Sequence, residues 1–224
     1  MRALALVFVT GCMPSVVQSA LVETGDMSAT YTVTTGHDGT NRAKATFRWV
    51  TGEASVLLDD GDRVAIDGMA VGTETDHDEI YGTNVSTAPD HLFELVRGTD
   101  APIGHRVISP QPFTITSMPF TGTYDLEATL TWAPAHVGAK VRITATTTTP
   151  GCTTRTLATF VPDTGSFAFT GADVRPSTAM DELPGACSFT LEIFRHEFAE
   201  GMTSPLQFVS LNANHFETTT LALH

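Results

Sequence analysis

Lysine is almost missing from this chain of 224 residues: Lys44 and Lys140 are the only two among 12 basic side chains, and 25 acidic residues leave a formal net charge of −13. Such an excess of one sign repels a phosphate backbone instead of releasing its counterions, so no nucleic-acid partner is expected and an anionic lipid surface is opposed as well. Long apolar runs are also missing. The one at the N-terminus, Ala3 to Val9, has seven residues, and at about 1.5 Å each these cannot cross a hydrocarbon core of about 30 Å as a helix. No stretch of ten or more residues carries the i, i+3, i+4 period of an amphipathic helix. Recognisable chemistry is scarce too, because HExxH, GxSxG, GxGxxG and the phosphate-binding loop do not occur. No cofactor is therefore implied. What the chain does have is 37 threonines and 42% apolar residues, a β-branched composition with enough apolar surface to fold, which points to an all-β globular protein.

The N-terminus reads as an address. Arg2 precedes the apolar run, and Val9-Thr10-Gly11-Cys12 follows it, so residues 1–11 are expected to be a secretory signal. Those four residues resemble a bacterial lipobox, whose cysteine is the site of lipid attachment. Cys12 is thus the expected lipidation site, and residues 12–26, small or polar without a sustained period, the expected tether. The other reading, a free or buried cysteine near a frayed end, stays open. Three cysteines are an odd number for a secreted chain. With Cys12 acylated, Cys152 and Cys187 remain as a pair expected to be bridged in an oxidising compartment. A zinc site lacks ligands, since no CxxC or closely spaced histidine pair accompanies either.

Alternating residues mark the strands. Ala43, Ala45, Phe47 and Trp49 share one parity, as do Val64 and Ile66, Phe93 and Leu95, then Tyr124 to Trp132 at every second position. Val141, Ile143 and Ala145 repeat the pattern, as do Cys187, Phe189, Leu191 and Ile193, and Val209, Leu211 and Ala213 supply a final strand. Asp67-Gly68 between apolar runs signals a two-residue hairpin. Ser109-Pro110-Gln111-Pro112 interrupts the pattern most strongly, because two prolines remove backbone donors. The expected division is therefore a first β-sandwich over 27–108 and a second, disulfide-bearing one over 109–224, each of immunoglobulin-like size. Trp49 and Trp132 sit on inward parity, which makes core packing the default and an exposed carbohydrate platform the alternative.

The successions Pro112-Phe113-Thr114-Ile115-Thr116, Leu130-Thr131-Trp132-Ala133-Pro134 and Val161-Pro162-Asp163-Thr164-Gly165-Ser166-Phe167 resemble a repeated pattern in immunoglobulin-like β-sandwich lipoproteins of myxobacteria and related bacteria. Leu58-Asp59-Asp60-Gly61-Asp62-Arg63-Val64 resembles the hairpin of their first domain. The resemblance implies tandem sandwiches anchored in the cell envelope, and it carries no catalytic residue over.

Two features remain to be weighed. Between Glu53 and Glu79 nine acidic residues are answered within the segment by Arg63 alone. Asp59, Asp60 and Asp62 make it a candidate cation loop, but the twelve-residue Ca²⁺ pattern is absent, and a solvated face that keeps sheet edges soluble is the favoured reading. Arg195-His196-Glu197 is the one suggestive triplet, yet at strand spacing His196 and Glu197 point to opposite faces. The expected function is a non-enzymatic envelope lipoprotein that binds, adheres or spaces, reaching the membrane through its lipid and a protein or glycan through its sandwiches. The alternative is an extracytoplasmic hydrolase whose site is built from loops. A concave pocket with convergent histidine and carboxylate side chains would favour the enzyme.

Overall fold

The computed structural model describes residues 16–36, 38–51, 53–59, 61–74, 77–117, 119–123, 126–147, 149, 152, 159–174, 186–201, 206 and 208–223. Among these the chain is all-β, with three short 3₁₀ turns and no α-helix. The strands are β1 (Val16–Gln18), β2 (Met27–Thr35), β3 (Asn41–Trp49), β4 (Ala54–Leu57), β5 (Arg63–Ile66), β6 (Met69–Val71), β7 (Thr73–Glu74), β8 (His77–Val85) and β9 (Asp90–Val96). They continue with β10 (Ile103–Ile108), β11 (Thr114–Ile115), β12 (Phe120–Gly122), β13 (Glu127–Ala133), β14 (Lys140–Thr147), β15 (Thr159–Pro162), β16 (Ser166–Thr170), β17 (Cys187–Gly201) and β18 (Phe208–Leu223).

One long sheet, in the order β1-β4-β3-β2-β18-β17-β14-β15, forms the back of the molecule. Two smaller sheets cover it: β10-β9-β5-β6 over one half and β11-β13-β16 over the other. The first core places Tyr31, Val33, Ala43 and Phe47 of the long sheet against Ile66, Phe93, Leu95 and Val107 of its cover. The second joins Val141, Ile143, Leu191 and Ile193 to Leu130, Trp132 and Phe169. Burial alternates along β2, β3 and β14, as a sheet with one face on a core requires. Asp67 and Gly68 both have positive φ, 51° and 78°, and join Ile66 to Met69 in a two-residue turn that matches the right-handed twist of its strands.

The expected cut at residue 108/109 does not produce two self-contained sandwiches. β17 and β18 form a hairpin of 15 and 16 residues that crosses both halves. The first part of β18 runs parallel to β2 and contributes Val209 and Ala213 to the first core, joined by Leu206 just before the strand, whereas its end pairs with β12 and contributes Leu221 to the second. β2 exposes an open edge that needs a partner, and the hairpin supplies it from residues assigned to the other sandwich. The expected tether is also partly folded. Val16–Gln18 pairs in parallel with β4, Ser19 is fully buried and Val22 enters the first core.

Candidate functional site

The seam between the two cores is visible as one row of residues across the long sheet. Asn41, Thr35, His215, Arg195 and Val141 stand directly opposite one another on β3, β2, β18, β17 and β14. Directly opposite residues share a face, so three polar side chains, Asn41, His215 and Arg195, are buried on the inner side of the sheet where its neighbouring rows are apolar. Residues 109–113 cross over this row. Pro110 and Pro112 lack the N–H groups a strand would need, and the carbonyls of the segment instead accept from the sheet's donors. Arg195 donates to the Gln111 carbonyl at 2.5 Å and to the Pro134 carbonyl at 2.6 Å, and pairs with Asp163 at 2.6 Å. Its guanidinium lies 4.7 Å from the centroid of the Phe113 ring, and the second Asp163 oxygen accepts from the Trp132 indole at 2.7 Å. A fully buried charge is thereby matched by an opposite charge and by two carbonyls.

His215 completes the seam. Its Nε2 donates to the Phe113 carbonyl at 3.0 Å, because a carbonyl can only accept, and lies 3.4 Å from Glu217 Oε1. In the neutral ring this makes Nε2 the protonated nitrogen and Nδ1 an acceptor. Beside this row opens a cleft of about 670 Å³, walled by the Gly36–Gly39 turn, by Thr87, Ala88 and Pro89, by the 109–113 crossing, and by His136, His215 and Glu217. Its size suits a small molecule. Three buried polar atoms in its walls, Asn41 Oδ1, Ser109 Oγ and His215 Nδ1, have no hydrogen-bond partner among the described residues. Each such atom costs about 1–3 kcal/mol when left unsatisfied, and all three lie beneath the surface of the cleft wall, out of reach of solvent.

Of the residues singled out from the sequence, Arg195 and Trp132 belong to this seam and the others lie elsewhere. Cys12 is outside the described residues, as is Asp60. Cys152 and Cys187 are bridged, with Cα atoms 5.9 Å apart, and both are buried in the second core. Asp59 accepts from the Ser19 hydroxyl and the Ala20 N–H, which ties the N-terminal segment down. Asp62 pairs with Arg97 at 2.9 Å and caps the Gly98 N–H, while Asp67 accepts from His91 Nδ1 at 2.7 Å and from the Leu92 N–H. These carboxylates are therefore held by separate partners far along the chain. No group of three or more metal-ligating side chains converges among the described residues. Trp132 is a core residue, 3% exposed, and Trp49 packs partly buried on the first core. His196 faces outward and bonds to Asn214.

The sequence did hold a signal for the cleft that parity arguments overlook when they follow only apolar residues. Asn41 shares the parity of Ala43, Ala45 and Phe47, Arg195 that of Leu191 and Ile193, and His215 that of Val209 and Ala213. A polar residue on an inward parity marks the end of one core or the wall of a site. Ser109 lay in the segment taken as a domain break. No protein-family profile matches the chain, and no curated protein matches it.

Proposed function

We propose that this protein is a non-enzymatic, lipid-anchored binding module of the cell envelope that holds a small, largely apolar ligand in the cleft at the seam of its two cores. The observation that supports this most is the cleft itself, about 670 Å³ in volume with a wall that includes Ala88, Pro89, Pro110, Pro112 and Phe113. The lipobox-like residues ending in Cys12 support the anchor. Anilinonaphthalene sulfonate, an apolar dye with a single polar head, tests the cleft. It should bind at one saturable site, and Ala88→Trp, which fills the cleft, should abolish that binding while leaving the unfolding midpoint in place. Dye binding unchanged by Ala88→Trp would overturn the reading. Cys12→Ala should move the protein from the membrane to the soluble fraction.

A hydrolase is the second reading, because Ser109, His215 and Glu217 line the same cleft. Two features favour binding over catalysis. The Ser109 hydroxyl is covered from solvent, and His215 has its Nε2 committed to a backbone carbonyl. Turnover of p-nitrophenyl acetate that disappears in both Ser109→Ala and His215→Gln would reverse that preference.

A further inference from the structure

The outer face of the long sheet carries a second, differently built surface. Five of the twelve basic residues stand on it: Arg42, Lys44 and Arg48 on β3, Lys140 and Arg142 on β14, all on the parity opposite the buried Ala43, Ala45, Val141 and Ile143. Register arranges its side chains in rows that cross the strands. Phe160, Arg142, Phe194 and Phe216 are directly opposite one another on β15, β14, β17 and β18. In the next row Lys140, His196, Asn214, Thr34 and Arg42 follow from β14 to β3. The Arg142 guanidinium lies 4.7 Å from the Phe194 ring centroid, and the Phe194 and Phe216 rings are 5.6 Å apart. Two shallow depressions of about 310 and 350 Å³ meet at Thr34, one holding Arg142, Phe160, Phe194 and His196, the other Arg42, Lys44 and Phe216.

We propose that this face binds an acidic polysaccharide lying across the strands. A sugar ring has an apolar C–H face that stacks on phenyl rings and a polar rim that hydrogen-bonds amides, imidazoles and hydroxyls, and the two rows offer those two chemistries side by side. Carboxylates on the polymer match the guanidinium and ammonium groups at both ends of the rows. From β3 to β14 there are four strand steps, about 19 Å at about 4.8 Å per step, so one small anion cannot touch both ends and a polymer can. A bilayer suits the face poorly, because among its described phenylalanines Phe194 and Phe216 are half-buried in depressions and Phe160 alone, 62% exposed, projects. Among the described side chains two acids belong to this face: Asp38, in the second depression, accepts from the Thr40 N–H and hydroxyl, and Glu192 accepts from Thr144. The net charge of −13 is felt weakly here, since salt screens charges more than about 8 Å away.

Affinity electrophoresis of the whole protein through polygalacturonate, with dextran as the neutral control, tests the proposal. Polygalacturonate should retard the protein and dextran should not. Arg142→Glu and Phe160→Ala, both at exposed positions, should each weaken retardation about tenfold at an unchanged unfolding midpoint. Dye binding in the seam cleft should stay as in the parent protein, so that this surface and the cleft fail or stand separately. Absence of retardation, equal retardation by dextran, or insensitivity to both substitutions would overturn the proposal. Binding to phosphatidylglycerol vesicles without binding to polygalacturonate would overturn it as well, and assign the face to a membrane.

Discussion

Arg195 is the residue on which the second half and the crossing segment both depend. It is fully buried, and its four partners come from three separate stretches: Gln111 and Phe113 of the crossing segment, Pro134, and Asp163. Replacing it by leucine leaves the Asp163 carboxylate buried without a countercharge, a change that typically costs about 3–5 kcal/mol. Urea unfolding of Arg195→Leu should show that loss, and a variant within 1 kcal/mol of the parent, roughly the effect of an average substitution, would mean that the network is dispensable. His105 makes the corresponding case for pH. It stacks on Tyr31 with ring centroids 5.5 Å apart, and burial pushes its pKa below the usual 6.5. The unfolded chain then binds a proton that the folded chain refuses, so the stability is present above about pH 6.5 and falls as pH drops below it. The urea midpoint should decline from pH 7.5 to pH 5.5 more steeply in the parent than in His105→Phe. Equal slopes would remove His105 as the cause.

At the scale of elements, much of the pattern was legible because period-2 alternation and core burial are the same fact seen twice. β3, β5, β9, β13, β14 and β17 all follow from it, as does the Asp67-Gly68 turn. β2 and the second half of β18 escaped, as did β10 and also β8, part of which lies in the segment expected to be a solvated acidic face. β2 reads Met-Ser-Ala-Thr-Tyr-Thr-Val-Thr-Thr, where small Ala29 and the many threonines dilute the contrast between faces. The second half of β18 escaped for a related reason, since Glu217 and Thr218 to Thr220 offer no apolar parity at all. Both are strands whose pairing is decided by the neighbours they complete. The seam was legible as prolines and as three polar residues on inward parity, Asn41, Arg195 and His215, but not as a set of partners, because a carbonyl that accepts from a distant arginine leaves no mark in composition. Cys187 belongs to the legible group, sharing the inward parity of Phe189. The bridge to Cys152 closes a separation of 35 residues, which in the entropic account constrains the unfolded chain by about 4 kcal/mol. Quantifying thiols in the unreduced, unfolded protein should find neither Cys152 nor Cys187 free, and Cys152→Ala should lower the midpoint of urea unfolding.

At the scale of the whole molecule, the shared hairpin ties the two cores together. Neither core keeps its full set of side chains if β18 leaves, so they should unfold together. Trp49 reports on the first core and Trp132 on the second. Variants that retain one tryptophan each, Trp49→Phe and Trp132→Phe, should give superimposable fluorescence transitions when each is referred to its own midpoint by circular dichroism. A first-core transition that precedes the second by a clear margin would show that the hairpin does not couple them.

The parallel pairing of β2 with β18 also sets an order of events during synthesis. Ser28 meets Phe208 and Thr35 meets His215, so a strand made near the beginning waits for about 180 further residues before its open edge is closed. Loop closure of that span is slow, and an unpaired, threonine-rich edge is an invitation to intermolecular pairing in the meantime. A nascent chain of this topology gains by staying unfolded, and held by a chaperone, until residues 208–215 have been made. That is the condition under which a chain can be threaded through a translocation channel.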